Sequence, residues 1–282
     1  MAASSYPTRS ISLPSRLLPN SNAIERSVNR LKSWDLSLAS TSGSQGAESI
    51  QLGLVGLVEL YGNVHDLILS PFAQQALLRH DQGRLIGEVM DGSLGLLDTC
   101  STARDLILRL QEQVRDLRSA LRRKGCLSVK TELSVYMGFR KKMAKDVAKC
   151  LRMLKQAEDK HGLAAPSLGL SPYVSMVVKV LREVYVATVK VFRSLFLYLS
   201  MPGKAGGWSF ISRLVSNRPG ARPIKSEEIF NEVTEVDLAL HDLDDAKVDL
   251  QLVGGRLQAL DASVGILEVE RTANFLCLYS VY

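Results

Sequence analysis

Four residues near the start of the chain have the spacing of a phosphorylation and docking motif. Arg9, Ser10, Ser12 and Pro14 read R-S-x-S-x-P. Arg9 lies three residues before Ser12, where a basophilic kinase requires a basic residue. A phosphate on Ser12 would add about two negative charges, which an arginine cluster can hold by bidentate hydrogen bonds. The spacing is that of the phosphoserine motif bound by 14-3-3 adaptor proteins, so we predict such an adaptor as a partner.

The same stretch has two other interpretations. SYPTRSISLPSRLLP (5–19) is rich in serine and arginine, and the chain has no acidic residue before Glu25. This composition is also typical of a plastid or mitochondrial transit peptide. The third interpretation is a disordered tail with no docking role.

Residues that could form a catalytic or metal site are scattered. The chain contains no G-x-x-x-x-G-K-[ST], G-x-S-x-G, H-E-x-x-H or C-x-x-C motif, and its four histidines are isolated from one another. An acidic cluster near the end lacks the spacing of an EF-hand, and we interpret it as a solvated helix face; it comprises Asp237, Asp242, Asp244, Asp245 and Asp249. We therefore predict no enzyme activity, no metal and no cofactor.

Two further segments could indicate nucleic acid or a membrane. The basic run RKKMAKDVAKCLRMLK (140–155) has no aromatic residues interleaved for base stacking, so we predict a solvated helix face and no nucleic acid. The apolar segment 173–201 carries charges through its middle, and we predict a central bundle helix that does not span a bilayer. Weak membrane association through 194–201 and the basic loop that follows is the alternative.

Composition and charge place the chain among intracellular proteins. Its four cysteines lie far apart, the first apolar run is only Leu17-Leu18, and no Asn-X-Ser/Thr site occurs. These features favour a reducing compartment, cytoplasm or nucleus, with the chloroplast as the alternative. Residues 101–160 carry a net charge of +9, 171–225 carry +8, and 226–282 carry −9. We expect the acidic end to pack beside the basic helices and neutralise them.

Apolar periodicity of 3.6 residues predicts a series of helices. A short helix over 22–34 precedes a Ser/Gly-rich linker, LSLASTSGSQGAES (36–49). Longer helices follow over 48–69, 71–81, 84–124, 130–160, 172–200 and 226–267. Gly53 and Gly56 form a small-residue face that permits close helix approach. Helices of about 30 residues with short breaks are typical of antiparallel bundles.

The predicted fold is all-α: an elongated antiparallel helical bundle with long coiled-coil-like helices. We divide the chain into a disordered N-terminal tail and linker (1–45), a bundle domain (46–270) and an atypical C-terminal end (271–282). Coiled-coil-like seams also suit self-association, because bundle helices and oligomer helices share one pattern.

Several stretches resemble a plant-specific domain family of unknown function, distantly related to the BYPASS proteins. They are YPTRSISLPSR (6–16), QLGLVGLVELY (51–61), LSPFAQQAL (69–77), MDGSLGLLDTCSTARDLI (90–107), LRSALRRKG (117–125) and YMGFRKKMAKDVAKCLRMLK (136–155). The resemblance implies an intracellular helical plant protein, linked to root and shoot development, with no assigned catalytic residues. The ending VERTANFLCLYSVY (269–282) departs from the Leu/Arg-rich stretch usual in the family.

From these observations we predict a non-enzymatic regulatory or scaffold protein that acts through protein partners, with a phosphorylatable tail. The alternative is a plastid-targeted or membrane-associated helical protein.

Overall fold

The computed structural model describes residues 21–40, 46–78, 83–123, 126–162, 172–200, 231–242 and 250–281. Within these ranges the chain forms eight helices and no strand. They are α1 (Ser21–Ser40), α2 (Ala47–Ile68), α3 (Pro71–Leu78), α4 (Gly83–Arg122), α5 (Cys126–Gly162), α6 (Pro172–Leu199), α7 (Glu232–Asp242) and α8 (Leu250–Val281). The all-α helical bundle predicted from the periodicity is therefore confirmed.

The apolar stripes predicted from the sequence form the core. On α2, Ile50, Leu54 and Leu57 are completely buried. On α4, the seam of Leu106, Leu110, Val114 and Leu117 is buried in the same way, because residues three and four apart lie on one helix face. One continuous apolar cluster joins α1, α2, α4, α5, α6, α7 and α8.

Helix α6 lies at the centre of the bundle, as predicted for the segment 173–201. It packs against α1, α2, α3, α4 and α5. Its C-terminal third, from Val191 to Leu199, is buried apart from Arg193, which forms an ion pair with Glu158 on α5 at 3.2 Å. None of the described helices combines the length and apolarity needed to cross a bilayer.

Helix α1 differs from the prediction in both length and role. It continues to Ser40, six residues beyond the predicted end at Trp34, so part of the segment assigned to the linker is helical. It also belongs to the bundle rather than to a tail, because Ile24, Val28 and Leu31 are buried in the common core. Regular apolar spacing on α1 outweighs the Ser-rich composition on which the linker assignment depended.

Glycines allow α1 to approach α2 closely, as the small-residue face predicted. A Cβ atom on Gly53 would lie 2.5 Å from Cζ2 of Trp34, and one on Gly56 would lie 2.8 Å from Cδ2 of Leu31. The Trp34 indole N–H donates to the carbonyl oxygen of Ser49 at 2.7 Å, which fixes the ring against α2.

The last predicted helix, 226–267, is two helices in the structure. Helix α7 ends at Asp242 and α8 begins at Leu250, with 243–249 outside the described residues. The two helices are antiparallel, since Glu232 lies near Ser263 and Arg256 donates to the carbonyl oxygen of Glu235. The backbone of α8 is helical to Val281.

Candidate functional site

The predicted docking motif lies outside the residues that the structure describes. Arg9, Ser10, Ser12 and Pro14 all precede Ser21, where α1 begins. The motif therefore stays a prediction. Of the acidic cluster, Asp244, Asp245 and Asp249 also fall outside the described ranges.

The most concentrated chemistry in the described part of the chain is a buried cluster around Arg140 on α5. The side chain of Arg140 is completely buried, and that of Asp237 on α7 is 3% exposed. Nε of Arg140 donates to both carboxylate oxygens of Asp237 at 3.1 Å, and Nη2 donates to Oδ2 at 2.7 Å. The Tyr136 hydroxyl donates to Oδ1 of the same carboxylate at 2.9 Å. We call Arg140, Asp237 and Tyr136 the arginine cluster.

Two sequence interpretations were wrong at these positions. Arg140, the first residue of the basic run, lies inside the protein and not on a solvated face. Asp237, assigned to a solvated acidic face, is its partner. The physical reason is that each charge compensates the other, which makes burial of both tolerable.

The arginine cluster also completes the C-terminus of α6. Nη1 of Arg140 donates to the carbonyl oxygen of Leu199 at 3.0 Å, and Nη2 donates to that of Ser200 at 3.4 Å. The last carbonyl groups of a helix have no partner within the helix and carry a partial negative charge. A buried guanidinium therefore satisfies them and stabilises the end of the central helix.

The N-terminus of α7 is hydrogen-bonded to the same end of α6. Asn231 caps α7, since its Oδ1 accepts from the Thr234 backbone N–H and its own N–H donates to Oγ1 of Thr234, both at 2.9 Å. Its Nδ2 donates to the carbonyl oxygen of Tyr198 at 3.1 Å. Ser200 and Asn231, the described residues on either side of 201–230, thus lie beside one polar cluster.

The pKa values in the cluster follow from this surrounding. Burial raises the pKa of Tyr136 well above its ordinary value, and the nearby charge of Asp237 raises it further. Burial alone would lower the pKa of Arg140, but Asp237 together with Tyr136 and Tyr198 outweighs this and the net shift is upward. Arg140 therefore stays charged and Tyr136 stays protonated. The cluster is suited to joining helices, and it holds no accessible acid or base.

The two cysteines whose side chains the structure describes are not activated either. Cys100 and Cys150 are buried, and burial raises the pKa of both thiols, that of Cys150 to about 11. A thiol is a nucleophile as the thiolate, so these two are inert near neutral pH. Among the described residues, no group of three His, Cys, Asp or Glu side chains could hold a metal ion.

A small cleft lies between α1 and α6. Its volume is about 190 Å³, and its floor is apolar, with Val28, Trp34 and Val191 among the lining residues. Two ion pairs cross between the helices here, Lys32 with Glu183 at 3.5 Å and Lys190 with Asp35 at 3.0 Å. Pockets that enclose metabolites are usually larger, roughly 300–1,000 Å³.

The arginine cluster was missed in the sequence although a signal exists. On α5 the buried residues Tyr136, Met143 and Val147 leave one gap in the 3–4 spacing, and Arg140 fills it. On α7, Asp237 lies four residues after the buried Val233. A charge in register with apolar neighbours on two helices indicates a buried pair.

Comparison with known proteins gives one match. A family model described as Protein BPS1 matches residues 53–278, which include the arginine cluster and every described helix from α3 to α7. No curated protein sequence matches the chain, and no solved structure does.

Proposed function

The chain belongs to the BPS1 family of plant proteins, and from this premise we propose that it is a non-enzymatic regulator or scaffold in plant development. It acts through protein partners, and residues 1–20 and the bundle have separate tasks. The bundle is the stable folded domain, and residues 1–20 contain the motif at Ser12 that binds an adaptor.

The observation that carries the proposal is the burial of the side chains whose pKa values are shifted. In an active site, side chains with shifted pKa values face a cleft and stay accessible to substrate. Among the described residues, the groups with shifted pKa values are shielded: Arg140, Tyr136 and Tyr198 are completely buried, and Cys100 and Cys150 are 3% exposed. Burial of this kind supports a structural body rather than a reaction centre.

The position of α1 supports a docking motif that is close to the bundle. Helix α1 begins at Ser21 and is fixed by the ion pairs of Lys32 and Asp35 with α6. Ser21 is the ninth residue after Ser12. An extended chain spans at most about 3.5 Å per residue, so Ser12 lies within about 32 Å of α1. A 14-3-3 adaptor bound to phosphorylated Ser12 is therefore held beside the bundle.

The test is purification of the tagged full chain from plant tissue, with the N-terminal peptide and co-purifying proteins identified by mass spectrometry. We expect phosphate on Ser12 and recovery of 14-3-3 proteins. Ser12→Ala should lower that recovery by about tenfold or more, because each hydrogen bond to a charged group is worth about 1.5–3 kcal/mol. Ser15→Ala is the matched control: Ser15 lies in the same stretch but has no arginine three residues before it.

Three results would contradict the proposal in different ways. A mature chain that starts after Leu18 would identify the stretch as a transit peptide and place the protein in the chloroplast instead of the cytoplasm or nucleus. Equal adaptor recovery from both variants would remove Ser12 as the docking residue. Turnover of a metabolite by the purified chain with saturable kinetics would show that it is an enzyme.

A further inference from the structure

Helix α5 exposes a regular stripe of positive charge on the side away from the core. Lys142, Lys145, Lys149 and Arg152 are exposed and recur with spacings of 3, 4 and 3 residues. Residues at these spacings lie on one helix face, and ten residues of helix extend about 15 Å. We call these four residues the basic stripe; Lys141, also exposed, flanks it.

The three lysines of the stripe are poorly neutralised by the residues that the structure describes. The stripe's own stretch, 141–155, contains six cations and one acid, the half-buried Asp146. None of its three lysines forms an ion pair with a residue that the structure describes. Helix α4 lies alongside, with Thr102 hydrogen-bonded to Cys150, and exposes both Asp105 and Arg109 in this region. Over 98–112, α4 carries three exposed acids and two exposed cations, a net charge of −1 against the six cations of 141–155.

The basic stripe lies on a helix whose opposite face is buried in the core. Met143, Val147 and Leu151 occupy the opposite face of α5 and are buried in the common core. No large apolar side chain of 141–155 is among the exposed ones. The charges are therefore held in a straight row that offers electrostatic attraction without an apolar anchor.

We propose that the basic stripe of α5 is a docking surface for the anionic face of a lipid bilayer. A bilayer that contains phosphatidylserine or phosphoinositides presents many negative charges in a plane, and clusters of four to eight cations on a helix bind such a surface without specific pockets. Three of the four stripe residues are lysines, which act as point charges and suit diffuse headgroups better than bidentate recognition of a single phosphate.

Other anionic partners fit the stripe less well. Single-stranded nucleic acid is held by aromatic side chains that stack with bases, and 141–155 contains none. A protein partner would need a central, buried anchor residue for affinity, and the stripe offers no apolar group to receive or supply one. A bilayer attracts such a stripe by charge alone. Charge alone also holds duplex nucleic acid, so the experiment includes it as a competitor.

The experiment is co-sedimentation of the full chain with vesicles of 70% phosphatidylcholine and 30% phosphatidylserine, beside vesicles of phosphatidylcholine only. We expect binding to the anionic vesicles at 50 mM NaCl and its loss at 500 mM, where screening shortens the range of the charges to a few ångströms. Each cation near such a surface strengthens binding about fivefold. The triple variant Lys142→Gln, Lys145→Gln, Lys149→Gln should therefore bind at least tenfold more weakly.

A second triple variant gives the matched control. Arg122→Gln, Arg123→Gln, Lys130→Gln removes the same charge from exposed positions at the far end of α4 and the start of α5. It should retain binding within about twofold. Circular dichroism and the thermal midpoint of both variants must match the unsubstituted chain, so that lost binding reports the stripe and not the fold.

Three outcomes would overturn the proposal. Equal binding to both vesicle types would show that charge does not drive it. Equal weakening by the two triple variants would show that only net charge matters and not the stripe. Release from anionic vesicles by a low concentration of duplex DNA or RNA, with tighter binding to that nucleic acid, would identify a nucleic-acid surface instead.

Discussion

At the scale of single residues, Arg140 shows what a charge can do once it is inside a helical bundle. Its guanidinium contacts a carboxylate from α7 and two carbonyl groups at the end of α6, while its own backbone belongs to α5. Three helices therefore meet at one side chain. A buried pair of this kind adds little net stability over apolar residues, but removal of one partner leaves the other uncompensated.

Arg140→Met is expected to lower the free energy of unfolding by about 3–5 kcal/mol, because Asp237 then remains buried without its partner. Lys141→Met removes the same charge from the next, exposed position and should change stability by about 0.5 kcal/mol or less. Urea denaturation followed by circular dichroism measures both. Equal effects of the two substitutions would show that Arg140 has no special role.

The double variant Arg140→Met, Asp237→Leu tests whether the two buried charges stabilise each other. It should be more stable than either single variant, since no uncompensated charge is left in the core. Strictly additive losses in the three variants would refute the coupling between α5 and α7.

The buried apolar residues around Arg140 could be predicted from the sequence, but the buried ion pair could not. Tyr136 and Met143 lie seven residues apart in the helix predicted over 130–160, and apolar residues at this spacing indicate a buried face, which the structure shows. Arg140 and Asp237 carry charges that are usually solvated, and their burial depends on a partner 97 residues away in the chain. Periodicity within one helix contains no information about such a partner.

At the scale of helices, the contact of α1 with α2 depends on the absence of side chains. Gly53 lies against the indole ring of Trp34, and that ring is fixed by its hydrogen bond to Ser49. Gly62, on the same helix, has open space where a side chain would be. A methyl group would therefore clash at the first glycine and fit at the second, although both lie within α2.

Gly53→Ala should destabilise the protein by about 1–3 kcal/mol, because the new methyl group overlaps the fixed indole. Gly62→Ala should stabilise it by up to about 1 kcal/mol, since alanine favours a helix and meets no neighbour there. Thermal unfolding of both variants measures the difference. A neutral Gly53→Ala would mean that α1 does not pack as described.

Helix positions could be predicted from the sequence better than helix ends. The predicted stripes of α2 and α4 are buried as expected, since many apolar positions contribute to each. The end of α1 at Ser40 was missed because residues 36–40 have a composition typical of loops. The interruption between α7 and α8 was missed because apolar spacing continues across it in sequence.

At the scale of the whole molecule, the basic and acidic parts of the chain meet across helix interfaces. Asp261 on α8 forms ion pairs with Arg115 and Arg118 on α4, and Asp237 on α7 pairs with Arg140 on α5. The expected pairing of the acidic end with the basic middle is thus confirmed for the described residues. The three lysines of the basic stripe are exposed and take no part in this pairing among the described residues.

The body of the bundle begins at α1, before the matched family range that starts at residue 53. A chain of residues 21–282 should keep a thermal midpoint close to that of the full chain. A chain of residues 46–282 lacks Ile24, Val28 and Leu31, whose burial is worth roughly 5–9 kcal/mol in total, so its midpoint should fall by about 10–20 °C. Calorimetry with light scattering would detect this loss and any aggregation.

Equal midpoints of the two shortened chains would show that α1 is dispensable and that the domain starts at residue 46, as the linker composition indicated. A lower midpoint for residues 21–282 than for the full chain would instead assign a stabilising role to residues 1–20.

The distance in sequence between Arg140 and its carboxylate also sets an order of events during synthesis. Asp237 is added 97 residues after Arg140, which takes about 5–20 s at roughly 5–20 residues per second. During that interval α4, α5 and α6 have been made, but closing their core would bury a cation without a counter-charge. Until α7 is made, closure over Arg140 therefore costs roughly 3–5 kcal/mol, and a chain that stops before α7 would carry that cost permanently.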